Sequence, residues 1–385
     1  MSEHPRKTNH MPTAKRAPAM WEEGTTVTRA LQATSAVAAI ARGGGVGSKM
    51  GPLTRGLVPD DPQLRGAGVL ALAGLGSGVL YGLASKNLLR SDWLIPSIQP
   101  WQVLTAVTWA ANMKATRSKG RLDGRSSRDS SNGGGGGRGK RKKTPATPPV
   151  RFFSPAGWAF AIWGPIFLGE FIFVLFQLLP VDYVRESWWL SDISPWFAGA
   201  MLCQSLWCAS FRPWARDAGL LWVPTLMLGG VAVALGGVHS ILRDAWFEGT
   251  MRIPQYLLAH VPISLHFGWI TCASLVNLNG FFASIPRLSE HFKVVASVCT
   301  VIAATILGAV ITFSREDPLF AAVVAWALWA VGSPTGWNDL KGRVDPGAIR
   351  LQELTAKGGA VFSMATICLL LGLNLKRTMF PDGNA

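Results

Sequence analysis

Glu170 is the one charged residue in the apolar run from Ser154 to Pro180. A carboxyl group among apolar neighbours holds a proton more readily than in water, and it calls for a partner, a wet cavity or a cation. Trp163 stands seven residues ahead, close to two helical turns, so indole and carboxyl share one stripe. On such a stripe the indole face stacks on a flat guest while the polar group meets the guest's charged or metal-bearing part. Trp158 is five residues before Trp163 and lies about 140° away, on another face. A second set has similar chemistry. Trp269, Ala273 and Asn277 step by four, and His266 comes three before Trp269, near the same stripe. His266 is a candidate ligand for the metal of such a guest or a hydrogen-bonding residue, and Asn277 a candidate for ligand contact or a bond between helices. Gln204 and Trp207 form a third pair of this kind. Packing is the competing role for all of them, and for Glu170 it is an ion pair with a neighbouring helix.

Other chemistry finds no support. There is no Gly-x-Ser-x-Gly, no HExxH and no phosphate-binding loop, and the run Gly133–Gly137 is low complexity with no strand before it. No catalysis is expected. The five cysteines lie in apolar segments with no CxxC pair and no Cys/His cluster, so they read as small hydrophobes and no metal site is expected. The formal net charge of +15 is concentrated in the N-terminal tail and one loop. Without zinc-finger spacing, a basic recognition helix or an aromatic-basic strand pattern, it does not point to nucleic acid.

The elements that must position these residues are membrane helices. The chain is 49% hydrophobic and 15% charged, with mean hydropathy +0.26. Ser154–Pro180 alone is long enough to cross a hydrocarbon layer about 30 Å thick, with Pro165 removing a backbone donor near its middle. Further apolar runs lie at 66–84, 100–113, 196–214, 218–241, 253–283, 292–313, 318–331 and 358–375. The expected fold is all-α, a polytopic transmembrane helical bundle of about eight or nine spans. The basic segment 1–65 has the composition of an organelle transit peptide or a disordered tail. Two weak spans within 66–113 follow, then a basic Gly-rich loop at 114–151 whose composition does not support a packed core. A helical core at 152–283, C-terminal spans at 284–376 and a polar tail at 377–385 complete the division. With the N-terminus inside, about 29 of the 37 Lys and Arg fall on the inner side, as the positive-inside rule requires.

Phe153-Ser154-Pro155 followed by AGWAFAIWGPIF resembles the signature of tryptophan-rich sensory proteins, relatives of the translocator protein (TspO/MBR, peripheral benzodiazepine receptor) family. Phe153, Pro155, Phe160, Ile162, Trp163 and Gly164 fill the signature's places. PISLHFGWITCASLVN resembles a later span of that family, through Pro262, Trp269, Ala273 and Asn277. Gln204, three before Trp207, stands where the family tends to have Asn. The resemblance implies a TspO-like core with extra helices around it, and no established catalysis. It also implies binding or translocation of a flat lipophile, tetrapyrrole or sterol-like, in a Trp-lined pocket between helices, with a link to stress sensing. The site residues so expected are Trp158, Trp163, Glu170, Gln204, Trp207, His266, Trp269 and Asn277. No resident cofactor is expected; a porphyrin or haem would be the ligand. Membrane lipids and the lipophile are the expected partners, with a homodimer left open, in a chloroplast or mitochondrial membrane. Two rival readings stand beside it: a proton- or ion-coupled transporter using Glu170, and a structural or assembly subunit of an organellar membrane.

Overall fold

The computed structural model describes residues 61–90, 98–123, 152–333 and 344–379. Residues 1–60 of the basic segment, 124–151 of the Gly-rich loop and 380–385 of the polar tail lie outside them. Among the described residues the long elements are helices: α1 (Pro62–Ser85), α2 (Pro100–Thr116), α3 (Trp163–Gln177), α4 (Trp188–Ser210), α5 (Trp222–Phe247), α6 (Val261–Ser284), α7 (Glu290–Arg315), α8 (Pro318–Val331) and α9 (Pro346–Met379). Their starts follow local chemistry. Asp61 caps α1 by accepting from the Gln63 N–H at 2.7 Å, with Pro62 in the first turn. Ser289 caps α7 through the Phe292 N–H, and Asp317 caps α8 through the Leu319 N–H. Between α7 and α8, Glu316 takes a left-handed conformation (φ 54°), so the chain reverses within two residues.

Six helical stretches are long and apolar enough to cross a membrane: 62–85, 157–177, 222–247, 253–284, 290–315 and 346–379. Exposed Leu, Val, Ile and Phe run along α1, α7 and α9, where they meet lipid rather than water. The more polar α4 is the enclosed one, buried at every residue from Gln204 to Ser210. It packs against α5, α2 and α1, while α6 packs against α5, α8, α7 and α3, and α9 closes on α8 and α7. The protein is a multi-pass helical membrane bundle.

The central span departs from a single regular helix. Gly157–Ile162 is a 3₁₀ turn, and the α-helix starts only at Trp163. The turn is tied to α8, because the Ala156 N–H donates to the Ala330 carbonyl at 3.0 Å and the Trp326 indole N–H to the Ala159 carbonyl at 3.1 Å. Pro165 therefore sits in the first turn of α3, directly after the 3₁₀ turn, and near the middle of the 157–177 stretch. Further along, a Cβ on Gly169 would lie 2.7 Å from Pro262 Cβ, so glycine is what lets α3 and α6 come together.

Candidate functional site

That close approach brings the two tryptophan motifs face to face. The Trp163 ring meets the Trp269 ring edge-on at 6.3 Å and the His266 ring at 5.5 Å, and it stacks on Phe167. Phe160, from the 3₁₀ turn, meets the Trp269 edge at 5.5 Å. On the far side, α4 presents Trp207, whose indole N–H donates to Asn277 Oδ1 at 3.2 Å. Between these walls lies a cleft of about 760 Å³, its open mouth included. Trp163, Trp207, Trp269, Ala273 and Asn277 line it, together with Phe153 to Pro155 and Asp123. The indole N–H of Trp269, a residue 2% exposed, has no hydrogen-bond partner among the described residues. A buried donor in that condition favours any guest that brings an acceptor.

The other expected residues stand elsewhere. Glu170 and His266 are wholly buried and pair with each other, Nδ1 to Oε1 at 2.6 Å, behind the Trp163 wall. Glu170 Oε2 and His266 Nε2 have no partner among the described residues. Gln204 lies between α2 and α4, where its Oε1 accepts from the Asn112 side chain at 2.9 Å. Trp158 is 40% exposed and packs edge-on against Trp326 at 4.7 Å. Neither Gln204 nor Trp158 lines the cleft.

Beside the cleft lies a charge pair that the sequence did not single out, since it falls in a stretch read as a structureless loop. Arg121 binds Asp123 at 2.9 Å, and its guanidinium lies 5.3 Å over the Trp207 ring. Burial works to lower the Arg121 pKa, but the hydrogen bond to Asp123, with the neighbouring Cys208 and the Asp123 charge, outweighs it and raises it. Arg212, buried at the end of α4, donates to the Cys208 and Lys119 carbonyls and has its pKa lowered by that burial. No spacing rule joins Arg121 or Arg212 to the tryptophans; only the packing of α2 on α4 does.

No curated protein and no solved structure matches the chain. The sequence profile described as TSPO-like protein matches residues 144–340, which hold α3 to α8 and both tryptophan motifs. That match spans about half of the chain and all of the cleft from Phe153 onward, and the chain belongs to the TSPO-like protein family.

Proposed function

We propose that the protein binds, and passes across or along its membrane, a flat lipophile of the tetrapyrrole or sterol-like class in the cleft between α3, α4 and α6. The observation that carries this reading is an apolar cleft lined by Trp163, Trp207 and Trp269, the last of which has an unpartnered indole N–H. Indole faces supply stacking area, and the free donor supplies one directional bond to a ring carbonyl, hydroxyl or carboxylate. The Arg121–Asp123 pair beside the cleft suits a guest with a charged edge. The test is titration with protoporphyrin, haem and a sterol, followed by tryptophan fluorescence in detergent. Saturable quenching is expected, weakened about fivefold in Trp269→Phe, which removes one hydrogen bond of about 1 kcal/mol, and more in Trp163→Ala. Equal quenching in the wild type and both variants would end the reading.

A second reading has its own observation. The buried Glu170–His266 pair holds two unpartnered polar atoms within the bundle, the arrangement of a proton-carrying site. In that case flux in proteoliposomes depends on a pH gradient and is lost in Glu170→Gln, whereas lipophile binding survives.

A further inference from the structure

We propose that His239, His260 and Asp317 form a binding site for one divalent metal ion of the zinc class, at the end of the bundle opposite the indole cleft. Each offers a ligand atom, and the three atoms lie within 4.8 Å of one another. The residues are 0%, 3% and 1% exposed. They come from α5, from the turn ahead of α6 and from the cap of α8, so helix packing alone assembles the set. Two imidazoles and a carboxylate are the donors such an ion takes, at about 2.0–2.2 Å each, with neighbouring tetrahedral ligands about 3.3 Å apart. His239 Nε2 and Asp317 Oδ2 stand 2.8 Å apart, so parting them by about 0.5 Å seats an ion between them.

A second observation points to a ligand. His260 Nδ1 is buried with no hydrogen-bond partner among the described residues. Its backbone forms the last residue of a π turn, Tyr256–His260, a widening of the helix that recurs at functional sites. Here it sets the His260 ring 4.7 Å from that of His239. The carboxylate is held by outer contacts, the Ser264 hydroxyl donating to Oδ2 and the Leu319 N–H to Oδ1. Such support orients metal ligands.

Arg315 sets the condition for loading. A guanidinium only donates, and its Nη1 lies 3.2 Å from His239 Nδ1, so the ring proton sits on Nε2 and is given to Asp317. An ion taking Nε2 moves that proton to Nδ1 and turns Arg315 away, leaving it the Gly236 carbonyl that it already holds at 2.8 Å. Arg315 and the metal are therefore competitors. The alternative outcome is a hydrogen-bonded knot that only ties α5, α6 and α8 together.

The experiment uses the full chain in mild detergent, stripped with a chelator, loaded with Zn²⁺ or Co²⁺ and desalted. Expected are one ion per chain and visible Co²⁺ bands of a nitrogen–oxygen site. His260→Gln and Asp317→Asn should weaken both by about tenfold or more, and Arg315→Gln should tighten binding several-fold. Gln fills the His volume and Asn keeps the α8 cap; gel filtration and tryptophan fluorescence check that each variant is folded. Wild-type protein without stoichiometric metal or Co²⁺ bands overturns the proposal whatever the variants do. Metal that binds His260→Gln and Asp317→Asn unchanged overturns it as well.

Discussion

Glu170 and His266 share one short hydrogen bond while each keeps a second polar atom unpartnered among the described residues. Removing one member of such a pair leaves the other buried alone, which costs about 3–5 kcal/mol. Glu170→Leu should therefore lower stability by about that amount, and Glu170→Leu combined with His266→Leu should recover most of it. Denaturant unfolding of the purified protein measures both. At the cleft, Trp207→Phe deletes the bond to Asn277 Oδ1 and should cost about 1 kcal/mol in the same measurement. Both polar residues of the pair stood out in the sequence, because charge at membrane depth is conspicuous. Their partnership did not. His266 read as an extension of the Trp269 stripe, and only the approach of α3 to α6 turns it toward Glu170.

That approach belongs to the helices. Pro262 is rigid, so a methyl group on Gly169 must push α3 and α6 apart. Gly169→Ala should destabilise by about 1–3 kcal/mol and open the Trp163–Trp269 contact, read as a shift in tryptophan emission. Apolar length located the helices well, since α8 occupies 318–331 and α7 extends the run 292–313 by two residues at each end. It did less well where polar residues continue a helix beyond its apolar run. α4 begins at Trp188, ahead of the run at 196–214, and ends at Ser210, where Phe211 and Arg212 turn the chain. The 3₁₀ start of the central span was not legible either, because its geometry depends on the Trp326 and Ala330 contacts of a helix far along the chain.

For the molecule as a whole, the two ends of the bundle differ in character. The indole cleft is lined by Asp123, Trp207 and Phe211, and the His239–His260–Asp317 set lies toward the opposite ends of α5, α6 and α8. With 26 residues, α5 spans about 39 Å between those ends. A cysteine placed at exposed Arg216 and one at exposed Glu248 should thus react with an impermeant thiol reagent from opposite sides of sealed vesicles. Reaction of both from one side would refute this arrangement. Asp123 and Phe153 both line the cleft, yet the chain between them includes Arg138 and the basic run Lys140–Lys143. The sequence that joins these two lining residues is thus strongly basic. A dicarboxylate porphyrin should arrive faster at low salt and slow as ions screen that positive charge, in stopped-flow quenching, while an uncharged sterol keeps one rate throughout.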